Sequence, residues 1–253
     1  MTALLETRNV SKSFGPLRAL EDVSLRFDAG ELVAVVGPNG AGKTTLVNLL
    51  TGLLKPTSGE VLFMGRSIAG VGPVKLADRG LARSFQLIAV FPRLTVAETI
   101  AAAVVSRQKK RWRLLSRLAA DTEVERRVAE VADIFGLRRR LDTVAAALSQ
   151  GEKKLLDVAS AFALDPQVIL LDEPTSGVST ADKHGIMTTL IAAGKAAGVK
   201  GIVLVEHDMD LVAAYSQRII ALAEGRMLAD LPPDKFFADP ALIAAVVGKP
   251  RGR

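Results

Sequence analysis

The sequence contains no cysteine, and this absence excludes disulfide bonds and metal sites built on thiolates. It also fits an intracellular location. Aromatic residues make up only 4% of the chain, so few side chains can stack on the bases of single-stranded nucleic acid, and no nucleic-acid partner is expected. No apolar run approaches the roughly 18 residues of a membrane-spanning helix, so any membrane association is expected to use a partner or the surface.

The residues that are present are typical of a globular protein with a sizeable core. The chain has 253 residues, of which 49% are hydrophobic, enough for one large α/β domain or for a domain with an inserted lobe. The net charge of +6 suits nucleic acid, an anionic membrane surface or an acidic partner, and it serves solubility equally well. The charge alone does not choose among these.

A glycine-rich loop is the most informative segment of the chain. Residues 37–44, GPNGAGKT, fit the pattern G-x-x-x-x-G-K-[ST], with an apolar run before them and a helical stretch after them. Glycines let backbone N–H groups curl towards phosphate oxygens, and the helix adds its positive N-terminal end. A chance match is the alternative, and the flanking strand and helix argue against it. The candidate phosphate-binding residues are Gly37, Pro38, Asn39, Gly40, Ala41, Gly42, Lys43, Thr44 and Thr45.

Two side chains of this loop carry distinct chemistry. Lys43 supplies a point charge for the β- and γ-phosphates of a nucleotide. The hydroxyl of Thr44 is a candidate ligand for Mg²⁺. The loop therefore predicts a site for a nucleotide triphosphate with its magnesium ion.

Two consecutive carboxylates follow a second predicted strand. The apolar run 168–171 leads into Asp172, Glu173 and Pro174, which places both acids at the carboxyl edge of a parallel sheet, where the phosphate loop is also expected. Asp172 is then a ligand for Mg²⁺, directly or through water, and Glu173 is the general base that polarises the attacking water. Alone, the pair also fits an ordinary acidic turn. After a complete phosphate loop, nucleotide hydrolysis is the favoured interpretation.

Strand signals and helical signals divide the chain into parts. Short strands dominate the first third, and apolar runs at 168–171, 201–205 and 218–222 alternate with helices, which predicts a parallel sheet with crossover helices. Helical spacing dominates from residue 96 to 164. We therefore expect a single domain with an α/β core over 1–90 and 160–231, an inserted helical subdomain over 91–159, and a tail over 232–253.

The order of these motifs makes the chain resemble the nucleotide-binding subunit of an ATP-binding-cassette (ABC) transporter. Leu148-Ser149-Gln150-Gly151-Glu152 stands where that family carries its signature sequence. Gln86 matches the Q-loop glutamine, residues 176–179 the D-loop, His207 the switch histidine and Phe14 the aromatic residue that stacks on adenine. The resemblance covers nearly the whole chain. It implies a P-loop NTPase (RecA-like) core with an N-terminal antiparallel β subdomain and an inserted α-helical subdomain.

The resemblance also implies a task for each motif. Gln86 would sense Mg²⁺ and the water, and His207 would contact the γ-phosphate. Ser149 and Gly151, with Glu152 beside them, would bind the γ-phosphate of an ATP held by the opposite subunit. The implied metal ligands are Thr44, Gln86 and Asp172, and the implied catalytic residues are Glu173, His207, Gln86 and Lys43.

The partners that the resemblance implies are proteins of a membrane transporter. Two ATPase subunits would sandwich two ATP molecules head to tail, and the second subunit would be either an identical chain or a related ATPase. Both would act on transmembrane permease subunits and, indirectly, serve a periplasmic or extracellular substrate-binding protein. The chain would then be peripheral to the cytoplasmic face of the cell membrane.

Three residues depart from the pattern of the family. Gln150 and Glu152 stand where the family usually has glycine and glutamine, and Ser179 stands where many members have aspartate. Ser149 and Glu152 also have the spacing of a capping box, in which the glutamate turns back onto the start of its own helix. We hypothesise that Glu152 does so. The alternative is that Lys153 and Lys154 offset its charge near the phosphate.

Within the family, the chain looks most like the ATPases of branched-chain amino-acid importers. The supporting stretches are 81–87, 91–99, 205–212 and 239–248. A lipid-extraction or lipopolysaccharide-export ATPase and a soluble, non-transport ABC ATPase are the alternatives. The cargo stays open, since the ATPase does not touch it.

A dense basic segment runs from Arg107 to Arg113 within the helical region. It is either a solvated helix face or loop, or a surface that meets phospholipid headgroups. The sequence does not decide between the two.

Overall fold

Strands and helices alternate along the chain. The computed structural model describes residues 3–84, 91–108 and 121–247. Its strands are β1 Leu5–Phe14, β2 Leu17–Phe27, β3 Leu32–Val36, β4 Ser58–Phe63, β5 Arg66–Ser67, β6 Leu81–Arg83, β7 Val168–Asp172, β8 Gly201–Val205, β9 Arg218–Ala223 and β10 Arg226–Leu231. Its α-helices are α1 Lys43–Leu50, α2 Pro73–Asp78, α3 Val96–Arg107, α4 Thr122–Ile134, α5 Gln150–Phe162, α6 Thr180–Ala196, α7 Met209–Tyr215, α8 Pro233–Phe237 and α9 Pro240–Val247. Within these described ranges, no helix is both long and apolar enough to cross a membrane.

The chain divides into two compact units, Met1–Leu76 with Lys200–Arg253, and Ala77–Val199. The first unit combines an antiparallel sheet, in the order β2–β1–β4–β5, with a group of mainly parallel strands. In that group β3 lies parallel to both β8 and β9, while β10 is antiparallel to β9. The predicted α/β class with an antiparallel β subdomain is confirmed.

The strand that leads into the glycine loop is buried along its whole length. All 5 residues of β3 are buried, as expected for a strand that is covered on both faces. Phe236 of α8 and Val246 of α9 pack in one cluster with Ala34 and Val36 of β3. The two short helices near the chain end therefore support this strand.

Strand β1 continues further than its apolar pattern predicts. The apolar pattern predicts a strand over residues 4–10, whereas β1 runs to Phe14 with shifts of register after Thr7 and after Val10. Asn9 has a φ of 47° and its side-chain amide donates to Asp22 at 2.8 Å. A bulge of this kind breaks the alternation of buried and exposed residues, so the pattern stops while the strand does not.

Strand β10 was not predicted from the sequence. It forms a hairpin with β9 through Glu224 and Gly225, which both have positive φ values, 51° and 77°. Arg218 of β9 donates to both carboxylate oxygens of Asp230 on β10, at 2.5 and 2.7 Å, and to Glu31 at 3.1 Å. These ion pairs and the backbone hydrogen bonds between β9 and β10 hold an edge strand whose residues are exposed or half-buried.

The second unit is mainly helical and also contains the parallel pair β6 and β7. Helix α4 buries the apolar face that its spacing predicts, Val124, Val128, Val131 and Ala132. Next to that face, the rings of Phe135 and Phe162 meet edge to face with their centroids 5.3 Å apart. The helical subdomain predicted over 91–159 lies within this unit.

Candidate functional site

The glycine loop connects β3 to α1 in the first unit, and two of its glycines are required by close packing. Gly37, Gly40 and Gly42 have φ values of 151°, 83° and 98°, which disfavour other residues. A Cβ on Gly37 would lie 2.2 Å from the carbonyl oxygen of Leu222, and one on Gly42 would lie 2.6 Å from that of Ala19. A Cβ on Gly40 would meet nothing within 4 Å. The loop is therefore pressed against β2 and β9, while its tip at Gly40 is open.

The start of α1 is suited to an anion. Its N-cap is Gly42, which offers no side-chain acceptor, and its first turn contains no acidic residue. The first backbone N–H groups of a helix and its dipole both favour negative charge there. Thr44 is exposed and Thr45 is half-buried in this turn.

Lys43 is folded into the loop that precedes it. Its side chain is buried, and the ammonium group donates to the carbonyl oxygens of Gly37 at 2.7 Å and Pro38 at 3.0 Å. A buried ammonium needs such acceptors. The arrangement keeps a positive charge inside the glycine loop.

His207 follows β8, the parallel neighbour of β3. Val35 of β3 pairs with Val205 of β8, so the loop after each strand leaves the same edge of the sheet. The buried carboxylate of Glu206 accepts a hydrogen bond from the backbone N–H of His207 at 3.1 Å, and Asp208 caps α7. The imidazole itself is exposed. The structure therefore brings His207 and the glycine loop to one edge.

Phe14 lies at the end of β1 in the same unit and is 46% exposed. The ammonium group of Lys12 stands 5.1 Å from the centroid of its ring. Phe14 is therefore not part of the buried core. An exposed ring of this size is available for a contact with a flat partner.

Asp172 ends β7 in the second unit. It is held by Arg83 of β6 and by Ser84, which follows β6. Arg83 donates to its Oδ2 at 2.6 Å, and Arg83 and Asp172 are only 11% and 23% exposed. The backbone N–H of Asp172 donates to the hydroxyl of Ser84 at 3.3 Å. Sequence reasoning assigned no role to Arg83, because the two partners are far apart in the chain.

Glu173 has a strained backbone. Its φ is 49°, in the left-handed region, although it precedes Pro174 and is not glycine. Strain of this kind persists only where the surrounding structure imposes it, and it is common at functional sites. The Glu173 side chain is half-buried.

The signature segment begins α5, and its capping box is present as the spacing predicts. The Ser149 hydroxyl accepts from the N–H of Glu152 at 3.2 Å, and the Glu152 carboxylate accepts from the N–H of Ser149 at 2.9 Å. Arg140 donates to the same carboxylate at 2.8 Å. The bond from the Ser149 backbone, with Arg140 beside it, lowers the pKa of Glu152 below its ordinary value. The hypothesis that Glu152 turns back onto its own helix is confirmed.

Lys154 joins α5 to the segment after Glu173. Its ammonium group donates to the carbonyl oxygen of Glu173 at 3.2 Å and to the hydroxyl of Ser176 at 2.8 Å. Ser179 caps α6 by accepting from the N–H of Asp182 at 3.3 Å. The sequence offered no signal for the Lys154 contacts beyond the positive charge after the signature.

The predicted site residues that the structure describes thus fall into two groups, one in each unit. Phe14, the loop from Gly37 to Thr45 and His207 belong to the first unit. Asp172, Glu173, Ser149, Gly151 and Glu152 belong to the second. Gln86 lies outside the described residues, as do Lys109 to Arg113 of the basic segment. Arg107, at its start, donates to the carbonyl oxygen of Asp78 at 3.1 Å.

Comparison with known proteins adds the family. Residues 20–176 match the family model described as ABC transporter. The chain is 33% identical to the high-affinity branched-chain amino acid transport ATP-binding protein LivG of Salmonella typhimurium, over 97% of this chain and 98% of that protein. It is 31% identical to BraF of Pseudomonas aeruginosa, which has the same description, with the same coverage.

Solved structures agree with this assignment. An ATP-binding cassette of an ABC transporter in its ADP conformation is similar to this chain with a TM-score of 0.85 and 27% identity, over 98% of this chain and 100% of the other. A nucleotide-free cassette has a TM-score of 0.84, also with 27% identity and the same coverage. Since the family model spans more than half of the chain and the relatives match nearly all of it, the chain belongs to the ABC transporter family, as one of its ATP-hydrolysing subunits.

Proposed function

We propose that this chain hydrolyses ATP to drive an importer of branched-chain amino acids from the cytoplasmic face of the membrane. The observation that carries the hydrolytic part is the glycine loop, with positive φ at three glycines and the Lys43 ammonium buried against it. The importer subtype is supported by relatives that are named for branched-chain amino acid transport and match 97% of the chain.

The nucleotide would be bound by residues of the first unit. Adenine would stack on the exposed ring of Phe14, and the phosphates would lie on the N–H groups from Gly37 to Thr45. Lys43 would exchange its bonds to Gly37 and Pro38 for bonds to the β- and γ-phosphates, which are stronger because both partners are charged.

Thr44, Gln86 and Asp172 would hold Mg²⁺. The hydroxyl, amide and carboxylate oxygens of these side chains are hard ligands of the kind that Mg²⁺ prefers, and Thr44 and Asp172 are not fully buried. Bound there with ATP, the ion would supply positive charge at the β- and γ-phosphate oxygens.

Glu173 would act as the general base and His207 would stabilise charge. The carboxylate of Glu173, which follows β7 with a strained backbone, would accept a proton from the attacking water. The exposed imidazole of His207 would donate to the γ-phosphate as negative charge develops, together with Lys43. Both roles need a preorganised backbone, and Glu206 and Lys154 supply bonds to it.

A second ATPase subunit would complete each site. Ser149 and Gly151, at the exposed start of α5, would meet the γ-phosphate on the opposite subunit, with the N–H groups of the helix directed at the anion. Glu152 is engaged by Ser149 and Arg140, so its charge would stay with its own helix. Hydrolysis would remove this contact and open the pair of subunits.

Transmembrane permease subunits would dock on the helical subdomain that we propose over 91–159, apart from the core over 1–90 and 160–231 and the tail over 232–253. A mainly apolar cavity of about 220 Å³ lies beside α3 and α5 in the second unit. Phe91, at its rim, is 51% exposed. An exposed aromatic beside an apolar cavity suits a helix of a permease. A substrate-binding protein would deliver cargo to that permease and not to this chain.

The experiment is the pair of variants Glu173→Gln and Lys43→Ala. With the base removed and every nucleotide contact kept, Glu173→Gln should bind ATP normally, lose turnover and accumulate as an ATP-dependent dimer in size-exclusion chromatography. Lys43→Ala should weaken nucleotide binding itself. Steady-state hydrolysis at the wild-type rate by Glu173→Gln would refute the assignment of the base.

The importer subtype is tested by co-purification. The chain, tagged and isolated from its own membranes in mild detergent, should bring permease subunits and a substrate-binding protein that binds leucine, isoleucine or valine. Mass spectrometry identifies the subunits, and calorimetry with the binding protein identifies the cargo. A complex without any such binding protein would contradict the importer assignment.

A further inference from the structure

Lys12 lies over one face of the Phe14 ring. Its ammonium group is 5.1 Å from the ring centroid, within the distance at which a cation and an aromatic ring attract each other. The two residues are two apart on β1, with a register shift between Lys12 and Ser13, and the strand brings the ammonium group over the ring. Phe14 is nevertheless 46% exposed, so the ring keeps surface that a partner can contact.

The position of the Lys12 ammonium is fixed by the turn that precedes β4. It donates to the carbonyl oxygen of Lys55 at 2.9 Å. Thr57 of the same turn donates from its backbone N–H to Ser11 at 2.8 Å and accepts from the N–H of Ser13 at 3.0 Å. Three bonds thus tie residues 11–13 to residues 55–57, and one of them is made by the Lys12 ammonium group.

The strand hairpin that carries Phe14 also touches the glycine loop. Phe14 pairs with Leu17 across the turn between β1 and β2. Further along β2, Ala19 and Leu20 lie so close to Gly42 that a Cβ there would stand 2.6 and 2.7 Å from them. All of these residues belong to the first unit. The ring and the loop are therefore parts of one packed body.

We propose that Lys12 is a positioning residue for nucleotide binding, which holds the Phe14 ring so that its free face receives the adenine base. The inference rests on the stacking role proposed above for Phe14. Fixing the ring before the ligand arrives lowers the entropic cost of binding. Lys12 therefore acts on the base through Phe14 and makes no contact with the phosphates.

The test uses ADP and inorganic pyrophosphate, which has two phosphates and no base, with Mg²⁺ on the full chain. Lys12→Met removes the charge and keeps most of the stem; we expect the Kd for ADP to rise about two- to fivefold, with the Kd for pyrophosphate unchanged. Lys12→Arg keeps a cation over the ring and should restore most of the affinity. An unchanged affinity for pyrophosphate also reports that the variant is folded.

Lys55→Met is the matched control. It removes a positive charge from a residue that contacts Lys12. The backbone carbonyl group that accepts from Lys12 remains, so the Kd for both ligands should stay at the wild-type value. A Lys12→Met variant that behaves as this control does, or that loses affinity for pyrophosphate as well, would overturn the proposal. In the second case the lysine serves the phosphates by its charge.

Phe14→Ala separates this inference from the proposed function. We expect it to weaken ADP binding, and we expect Lys12→Met to have no further effect in that background, since the residue through which it acts is gone. If Phe14→Ala binds ADP more weakly and Lys12→Met binds ADP with the wild-type Kd, only the role of Lys12 is overturned. Wild-type affinity of Phe14→Ala for ADP would overturn the stacking role of Phe14 and the role of Lys12 with it.

Discussion

The ion pair between Arg83 and Asp172 gives a proposed metal ligand a second partner. The guanidinium is 2.6 Å from Oδ2 of the carboxylate, and both side chains are largely buried. A carboxylate in such surroundings is ordered by its donor, and removal of one partner leaves a buried charge. Arg83 would therefore fix the orientation of the carboxylate with which Asp172 is proposed to hold Mg²⁺.

Arg83→Met should lower steady-state ATP hydrolysis by about tenfold or more, because Asp172 loses the donor that orients it. Binding of ADP without Mg²⁺ should be unchanged, since Asp172 is proposed to act only through the metal. Arg79→Met, which removes an exposed arginine four positions earlier, is the control. Equal hydrolysis by the two variants would show that Asp172 does not depend on Arg83.

Glu152 is the second residue whose surroundings define its role. Its carboxylate accepts bonds from Ser149 and Arg140, and these bonds lower its pKa. A carboxyl group whose pKa is lowered by folding stabilises the protein at pH values above its unfolded pKa, about 4.3. That contribution is lost as the pH falls through the unfolded value towards the lower folded one.

Glu152→Gln keeps the capping box and removes the charge. We expect ATP hydrolysis to change by less than about tenfold, and the variant to be about 0.5 kcal/mol less stable than the wild type at pH 7. That difference should shrink as the pH is lowered below about 4.3 in urea titrations, because the wild-type carboxyl group then becomes neutral as well. A rise in hydrolysis of about tenfold or more would mean that the charge acts at the phosphate.

Helices α4 and α5 are joined by an aromatic contact at their carboxyl ends. Phe135, which follows α4, is almost fully buried, and its ring packs edge to face on Phe162 at the end of α5. Helix α5 begins with the signature residues and is tied by Lys154 to the segment after Glu173. The aromatic contact thus holds the carboxyl end of the helix whose first turn carries the signature residues.

Phe135→Ala should destabilise the protein by about 3–5 kcal/mol, since it removes a buried ring and leaves a cavity beside Phe162. Urea unfolding followed by circular dichroism measures this change. Ile134→Ala is the matched control, because the neighbouring side chain is 39% exposed and its loss should cost well under half as much. Similar losses for both variants would show that the aromatic contact does not support the two helices.

At the scale of the whole molecule, each proposed site draws on two chains. The glycine loop would come from one subunit and the serine at the start of α5 from the other. Lys43→Ala then damages the site of its own loop, while Ser149→Phe damages the site on the opposite subunit. In a dimer of one Lys43→Ala chain and one Ser149→Phe chain, both substitutions fall in the same site, and the other site is intact.

For two copies of this chain arranged head to tail, mixing these two inactive variants should restore about a quarter of the wild-type turnover, since half of the dimers are mixed and each has one intact site. The measurement is the steady-state rate at increasing ratios of one variant to the other. A mixture that stays as inactive as its components would assign the second position to a different ATPase.

Much of the site was predictable because its signals are local. The apolar runs of β3 and β8 coincide with the observed strands, and the glycine pattern lies between β3 and α1 as expected. The capping box of Ser149 and Glu152 needs only four consecutive residues. Propensity, periodicity and capping act over a few residues, so a sequence displays them directly.

Other features were not predictable, because they join residues far apart in the chain. Arg83 meets Asp172 only because β6 pairs with β7, and Arg218 meets Asp230 because a hairpin joins β9 to β10. The bulge at Asn9 interrupts the apolar pattern, so the sequence did not predict that β1 extends to Phe14. Strand pairing and register decide these contacts, and no short segment of the sequence determines either of them.

The sequence by itself determined the chemistry of this protein: a phosphate loop, two carboxylates after a strand, and a capped signature helix, each encoded in adjacent residues. Only the tertiary structure decided what surrounds them. It placed the carbonyl oxygen of Leu222 against Gly37, and the ammonium group of Lys12 against Phe14 by way of the turn at Lys55. The physical reason is that close packing selects one arrangement of distant segments, and that arrangement sets the distances on which binding depends.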